Sequence, residues 1–556
     1  MWKRILNSKS KTVAFSAFLL AVSSLFSRIL GLLRDRLLAS KFGAGAELDM
    51  YFAAFRIPDF VYTVLIIGGV TAAFLPVLSK YFNGKDGEWD EETTEFVNNL
   101  LNSILVIVSL VCFVLAVFTP WIVRLTVPGF SGSQREITII ITRIMFLSPI
   151  LFGMSAVFSG ILQYFDKFLI YSLCPILYNL GIIIGILFFV PYFGVYGLAY
   201  GVILGAFLYF VIQIPPTIHS GFKYRWFFDF THPGIISIFK LTIPRIIGTA
   251  TEQINWIILT AIASLLTSGS IAIFTFSNNL FYFPIGLIGI SFAVSSFPVF
   301  SKYLANGQKK EFLENFSLTF RQVLYLITPV AILLFILRAQ TVRLVLGSGQ
   351  FDWRDTRLTA ASLGVFCLGI VAISLVSLIT KAFYAFHDTK TPLIVSVFTV
   401  ASSVFFGFFF VFLMGFSNIF SNFMADFLIL RDIRNIEVIA LPLAIALSSI
   451  IQMALLLIFL YKRVGDFHIK EILKSFEKIV IASILMFVVA YFVRQFSGVP
   501  EFMQTFLGVL LQVALTGIIG LGVYIVSTLL LKSHEIGTFW DSIKKQIKKE
   551  SLGMPT

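Results

Sequence analysis

Apolar runs of about 20 residues recur from one end of the chain to the other, with only short polar stretches between them. Coiled as α-helix at about 1.5 Å per residue, each run matches the ~30 Å hydrocarbon core of a bilayer. The pattern predicts an all-α polytopic membrane protein with about 14 transmembrane helices. Six are centred near Phe26, Leu65, Val108, Leu151, Ile182 and Gly205. A polar loop with His219, Lys223, Arg225 and Asp229 follows, and six more centre near Ile257, Ile288, Ile332, Ile370, Val404 and Ala446. Two further spans, near Val488 and Gly517, come after the basic loop from Lys462 to Lys478.

The division into six and six reflects an internal duplication. FLPVLSKYFNG (Phe74 to Gly84) returns as SFPVFSKYLANG (Ser296 to Gly307), with Pro76, Val77, Ser79, Lys80 and Tyr81 matching Pro298, Val299, Ser301, Lys302 and Tyr303. The same offset pairs Phe52 with Phe274 and Asp166 with Asp388, and an offset three residues shorter pairs Val123, Arg124 and Leu125 with Val342, Arg343 and Leu344. An even number of spans per copy makes both enter the membrane in the same direction, giving parallel lobes with a path between them. The expected domains are an N-lobe at 1–216, a C-lobe at 217–464, two additional helices within 465–535 and a basic cytoplasmic tail at 536–556.

Composition agrees: 58% of residues are hydrophobic, 13% are charged and mean hydropathy is +0.92, outside the range of soluble globular chains. The net charge of +13 therefore belongs to membrane orientation and not to nucleic acid. With the N-terminus in the cytoplasm, that side holds about 25 Lys and Arg against about 12 on the other, so both termini are expected inside. The acidic loop from Asp86 to Glu95 would also lie there, and acidic residues contribute little to orientation. The N-terminal apolar run is followed by another span, so it is expected to remain as the first helix and not to be cleaved as a signal peptide. Cys112, Cys174 and Cys367 sit singly in apolar segments, without a disulfide or zinc spacing.

Against this background the charges between Ser27 and Phe82 stand out. Arg28, Arg34, Asp35, Arg36, Asp49, Arg56 and Asp59 lie in or beside the first two spans, where each charge costs roughly 2.5 to 3.5 kcal/mol on the lenient insertion scale. Arg28 and Asp35 are seven residues apart, nearly the same helix face, as are Asp49 and Arg56 and, in the second copy, Arg245 and Glu252. Either such pairs neutralise each other to lock helices together, or they line a water-filled cavity; as a set they favour the cavity. Arginine donates two parallel hydrogen bonds to a phosphate and keeps its charge, which points to a pyrophosphate or another anionic head group. Arg34 and Arg36, near the end of their span, could instead snorkel to the interface.

Pro58, Pro76, Gly68 and Gly69 interrupt the second span, and Pro284, Pro298, Gly286 and Gly289 interrupt its repeat. Broken helices line cavities and bend during alternating access, although membrane helices also tolerate Gly and Pro in general. Gly181xxxGly185 and Gly201xxxGly205 could bring two helices close, a weak motif whose usual meaning is ordinary packing. The one local constellation suited to catalysis is His387-Asp388 in AFHDTKTP, which could serve acyl transfer or simply precede a helix. Without a metal, nucleotide or hydrolase motif, the chain is not expected to be an enzyme.

The segment SRILGLLRDRLLASKFGAGAELDMYFAAFRIPDF (Ser27 to Phe60) resembles the opening signature of the MviN/MurJ-type lipid II flippases, in the multidrug/oligosaccharidyl-lipid/polysaccharide exporter superfamily. Pro175 to Pro215, Phe283 to Tyr303 and Ala382 to Pro392 extend the likeness over the first twelve spans. The resemblance implies two six-helix lobes with two C-terminal helices forming a lipid-tail groove. It implies translocation of undecaprenyl-pyrophosphate-linked disaccharide-pentapeptide from the inner to the outer leaflet of the bacterial cytoplasmic membrane. Arg28, Arg34 and Asp49 fall on the family's functional charges, Asp35 on the acid of its RD pair and Arg56 on a basic position before the Ile-Pro step. The chain departs from the pattern at Tyr62, where an arginine is usual, and at Asn279 and Tyr282, where an arginine and a glutamate are usual. Arg245 and Glu252, on the neighbouring helix, are the residues expected to compensate.

The expected partners are therefore lipid II and membrane lipids. No cofactor is expected, beyond coupling to the membrane potential or a monovalent cation. Rival readings are a flippase for another polyprenyl-pyrophosphate-linked glycan, a drug or cation antiporter of the same superfamily, and a membrane acyl or glycosyl transferase. An exporter of cationic drugs should line its cavity with more carboxylates than arginines, the reverse of this chain.

Overall fold

The computed structural model describes residues 13–82, 88–498, 505–533, 535 and 537. The expected basic tail with Lys544, Lys545, Lys548 and Lys549, and Asp86 of the acidic loop, lie outside those residues. Among the described residues the regular structure is helical throughout. The helices are α1 (Val13–Phe42), α2 (Ala46–Tyr81), α3 (Glu91–Thr126), α4 (Gly132–Tyr164), α5 (Phe168–Phe193), α6 (Tyr196–His219) and α7 (Pro233–Ser264). There follow α8 (Ser270–Ala305), α9 (Lys309–Ile336), α10 (Trp353–Cys367 with Ile370–Ala385, bent by 46°), α11 (Lys390–Met414), α12 (Glu437–Val464), α13 (Ile469–Ser497) and α14 (Phe506–Leu530). Twelve helices among the described residues are long and apolar enough to cross a membrane, thirteen with the bent α10 taken as one span. The 30-residue α1 precedes them and is also long enough, at ~45 Å.

Packing divides the chain at Ala272. The first unit contains α1 to α7, so the packing boundary differs from the repeat boundary expected near residue 216: α7, the first helix of the second copy, lies on α2, α3 and the helices around them. Small residues make that contact. A Cβ on Gly68 would stand 2.5 Å from the Thr249 hydroxyl, and one on Gly69 would stand 2.7 Å from the Thr242 methyl. Glycine also joins α5 to α6, where a Cβ on Gly181 would meet the Gly205 backbone at 2.2 Å and one on Gly185 would meet Gly201 at 2.4 Å. The weak glycine motifs thus mark a backbone-to-backbone crossing.

The loop into α7 is tied down by three buried asparagines of α3. Asn98 donates to the Lys223 carbonyl (2.9 Å) and accepts from the Arg225 amide (2.8 Å), while Asn99 does the same with the carbonyl (2.6 Å) and amide (2.9 Å) of Asp229. Asn102 donates to the Phe227 carbonyl at 2.9 Å and accepts from the Tyr224 hydroxyl at 3.0 Å. Each amide acts as a neighbouring strand would, giving an extended segment the backbone partners it lacks.

In the second unit, α13 and α14 pack on α9 through polar contacts near both ends. At one end, Arg494 of α13 donates to the Ile336 carbonyl at 2.9 Å. Near the other, buried Glu535 accepts from Ser475 (2.6 Å) and Ser533 (2.5 Å), with Arg321 of α9 at 3.5 Å. Burial raises the Glu535 carboxyl, but the two hydroxyls and the guanidinium outweigh it and hold the group below the usual carboxylate range. Between these ties, Tyr524 donates to the Tyr325 carbonyl at 2.9 Å. The opposite side of α14 is apolar and exposed, with Ile518 at 72% and Leu530 at 78%.

The His387-Asp388 pair turns out to be a helix start. Asp388 accepts from the Thr391 amide (3.0 Å) and hydroxyl (2.8 Å) and pairs with Arg463 of α12, capping α11 as a short acidic side chain does. These partners outweigh burial and lower the Asp388 carboxyl from its ordinary value.

Replacing Asp388 by Ala is expected to cost about 1 kcal/mol, the usual loss for a cap. Because the folded carboxyl is depressed, its contribution is complete above the unfolded value of ~3.9 and disappears only as pH falls further. Thermal melts in detergent between pH 3 and pH 7 should show the wild-type advantage over Asp388→Ala shrinking only at the acid end. Gly201→Val, whose side chain would meet the Gly185 Cα at 2.8 Å, is expected to lower the midpoint more than Asp388→Ala, overpacking costing ~1–3 kcal/mol or above.

Candidate functional site

The expected site residues of the first two helices come together inside the first unit in two clusters. In the first, Arg34 donates from Nε to Asp35 at 3.0 Å and from a terminal nitrogen to the same carboxylate oxygen at 2.8 Å. Its other terminal nitrogen reaches Asn179 of α5 at 3.3 Å. Asn179 in turn donates to the Ser27 hydroxyl at 3.2 Å and to the Pro175 carbonyl at 3.1 Å. The guanidinium is thereby fixed in direction and does not snorkel. Arg28 is half-buried one turn further back on α1 than the buried-facing Gly31, and Asp35 is buried. Asn179 is a member of this cluster that the charge pattern does not reveal; a lone asparagine within PILYNLGIII is its signal.

The second cluster joins α2 to α7. Arg56 donates to the Thr260 hydroxyl at 2.9 Å, and its guanidinium lies 5.7 Å from the centre of the Trp256 ring, within cation–π range. Asp59 lies half-buried one turn on. On α7, Thr242, Arg245, Thr249, Glu252, Trp256 and Thr260 follow one another at spacings of three and four, a single helix stripe. Four of them touch Arg56, Gly68 or Gly69 of α2. Arg245 and Glu252 share that stripe yet are exposed, leaving a cation and a carboxylate accessible beside the α2 contact.

Asp49 has a different task from the arginines. Its carboxylate, 4% exposed, accepts from the backbone amides of Gly269 (2.6 Å) and Ala272 (2.8 Å), at the first turn of α8. A carboxylate there fills the free amides of a helix start and meets the positive end of its dipole. The fit depends on Gly269, which adopts a φ of +91° and packs so that a Cβ would stand 1.9 Å from the Ala44 carbonyl oxygen. Nearby, the Gly129 amide donates to the Ser264 hydroxyl at 3.2 Å. The loops after α1, α3 and α7 are thus closed on one another at one end of the unit.

Tyr62, where the resemblance leads to the expectation of an arginine, sits among aromatic rings. Its ring lies 4.6 Å from that of Phe152, which also contacts Tyr178 and Tyr209, both at 5.3 Å. Asn279, Tyr282, Pro284 and Gly286 belong to the second unit, where Asn279 and Tyr282 are half-buried on α8. Tyr282 lies beside Phe281, whose ring stacks on Phe366 at 4.6 Å.

The breaks in the two copies have the same form. Between Pro58 and Pro76 the backbone of α2 widens into a π-helical stretch, Tyr62–Thr71, that contains Gly68 and Gly69. In α8 the corresponding stretch is Ile285–Ile290, directly after Pro284 and containing Gly286 and Gly289. Such wide turns leave carbonyls less tightly bound and are frequent at functional positions. Among the described residues, no three His, Cys, Asp or Glu side chains gather as metal ligands would.

Paired broken helices and inward charges in a bundle of membrane-length helices are the features of a membrane transporter scaffold. The fold is matched by an inward-facing MATE-family multidrug resistance transporter of the MOP superfamily, with a TM-score of 0.63 at 15% identity over 79% of this chain and 95% of the other. The model of the family "Lipid II flippase MurJ" matches residues 38–512, and the chain belongs to that family. Curated relatives include the probable lipid II flippase MurJ of Buchnera aphidicola from Acyrthosiphon pisum, 31% identical over 388 residues, covering 68% of this chain and 75% of that protein. The probable lipid II flippase MurJ of Vibrio cholerae is 28% identical over 403 residues, covering 71% and 77%. A solved lipid II flippase MurJ in an inward closed conformation superposes with a TM-score of 0.74 at 25% identity, covering 93% of this chain and all of the other.

If the α2–α7 contact requires glycine, Gly68→Ala should lower the melting midpoint, in line with the ~1–3 kcal/mol cost of overpacking. Thr249→Ala removes the hydroxyl at 2.5 Å and the methyl at 3.0 Å, so the double variant should regain most of the loss. Additive losses would show that the two residues do not meet.

Proposed function

We propose that this chain is a lipid II flippase, carrying the polyprenyl-pyrophosphate-linked glycopeptide from the cytoplasmic to the outer leaflet of the bacterial inner membrane by alternating access. The observation that carries this reading is the family match over residues 38–512, which takes in Asp49, Arg56 and Asp59 of α2 and begins just after the charges of α1. The chemistry of these charges supports it. Arg34 is aimed by Asp35 and Asn179, and Arg56 by Thr260 and Trp256, so two guanidiniums are held in fixed directions before any ligand arrives. Preorganised forks lose little freedom when they bind a pyrophosphate, and their charge persists at any physiological pH.

In this reading Arg28, Arg34 and Arg56 take the pyrophosphate, Arg245 supplies charge where Tyr62 and Asn279 do not, and Asp49 holds one end of the first unit shut. Exposed apolar side chains of α13 and α14 accommodate the polyprenyl tail. Bringing net charge across the membrane field links the cycle to the potential, at about 2.3 kcal/mol per charge per 100 mV. Both termini lie in the cytoplasm.

The test is rescue of a strain depleted of its own lipid II flippase, together with translocation of labelled lipid II in proteoliposomes. Wild-type protein should rescue, Arg28→Ala and Arg56→Ala should reduce translocation about tenfold or more, the loss of a charged hydrogen bond of ~1.5–3 kcal/mol, and labelled lipid II should leave unchanged in mass. Failure of a well-inserted wild-type chain to rescue would point to another polyprenyl-linked glycan. If Arg245→Ala translocates normally while Arg28→Ala does not, compensation by Arg245 is refuted.

A further inference from the structure

Six arginines and no lysine occur in the two stretches of the second unit that follow α9 and α11, residues 337–357 and 415–439. Under the orientation given by the loop charges, these stretches lie on the side where basic residues are scarce. An all-arginine set is chemically selective, because the planar fork matches oxyanions in a way the lysine point charge does not. Three of the six, Arg354, Arg357 and Arg434, line a cavity of about 360 Å3 together with Trp353, Asp432 and Ile433. That volume lies within the ~300–1,000 Å3 of small-molecule sites.

The arginines are not equivalent. Arg357 grips both oxygens of Asp432, one at 2.7 Å, and also donates to the Ile429 carbonyl. It thereby fixes the loop before α12 against the start of α10, and Arg434 and Arg354 line the same cavity. The carboxylate of Asp432 is spent on Arg357, which lowers it from its usual range. Arg354 and Arg434 are exposed and take part in no ion pair among the described residues. Three guanidiniums face one carboxylate, so the cavity is cationic. Trp353, 61% exposed, forms a wall between this cavity and a second of about 220 Å3, and Arg343 lies 6.0 Å from its ring centre. Tryptophan at the first residue of a span marks the headgroup level of a bilayer.

We propose that the cavity formed by Trp353, Arg354, Arg357 and Arg434 binds the phosphate of a membrane lipid at headgroup depth, with Arg354 and Arg434 as the ligating cations and Arg357 as the positioning residue. The assignment is separate from lipid II translocation through the first-unit charges. Two lipids carry this chemistry: an anionic phospholipid, through its phosphodiester, and a polyprenyl pyrophosphate.

The test uses the full chain in phosphatidylcholine vesicles and reads modification of individual arginines by phenylglyoxal through peptide mass spectrometry. Inorganic pyrophosphate at 1 mM should slow modification of Arg354 and Arg434 about tenfold, a factor equivalent to ~1.4 kcal/mol. Arg431, exposed but paired with Asp426, should change less than twofold. Replacing part of the phosphatidylcholine by phosphatidylglycerol distinguishes the sources. Protection without added pyrophosphate identifies the phospholipid, and protection by pyrophosphate alone identifies the polyprenyl pyrophosphate class. Arg357→Lys, which keeps the charge and loses the fork, should abolish protection with less than a twofold change in vesicle-bound yield. Unchanged rates in every arm, or equal slowing by sodium chloride at matched ionic strength, would overturn the proposal.

Discussion

A guanidinium within an apolar bundle stays in place only when neighbouring groups share its charge and hold its direction. Most of the first unit can be understood as meeting that requirement. Asn179 of α5 and Asp35 of α1 restrain Arg34, while Thr260 and Trp256 of α7 restrain Arg56. To supply the second pair, α7 has to leave its own repeat and lie against α2. That approach requires glycine at 68 and 69 and small hydroxylated residues at 242 and 249. Electrostatic need and steric fit therefore select the same helix pair, and the division of the chain at Ala272 follows from it.

The second unit meets a different constraint. Its additional helices lack a partner repeat, and van der Waals packing between apolar helices gives little selectivity in lipid. Polar ties at Ile336, Tyr325 and Glu535 fix α13 and α14 to α9 and leave one apolar side of each uncovered. The proposed function needs both properties, because a surface that receives a long hydrocarbon tail must be anchored from behind.

Much of this was readable in the amino-acid order. Hydropathy located the spans, the repeated FLPVLSKY segment disclosed the duplication, and the cost of charge in lipid singled out α1 and α2. What could not be read was which helix answers which charge. The spacing of Asp49 and Arg56 suggests a pair on one face, yet Asp49 turns to the amides of Gly269 and Ala272 and Arg56 to Thr260. Backbone amides carry no sequence signal, and threonine is ordinary in a membrane helix. Asn98, Asn99 and Asn102 were equally silent, because their partners are main-chain atoms of an extended loop. The small-residue motifs had the opposite fate: commonplace as patterns, they mark the closest crossing in the first unit's α5–α6 pair.

The widened turns of α2 and α8 also set how the two ends of each helix are phased. Each added residue in a helical turn rotates everything beyond it by about 100°. Phe52 and Phe274 lie before the widened stretches, Pro76 and Pro298 lie after them, and both pairs keep one offset. The same number of residues therefore crosses the break in each copy, and matched positions on either side of it stay in step between the two helices.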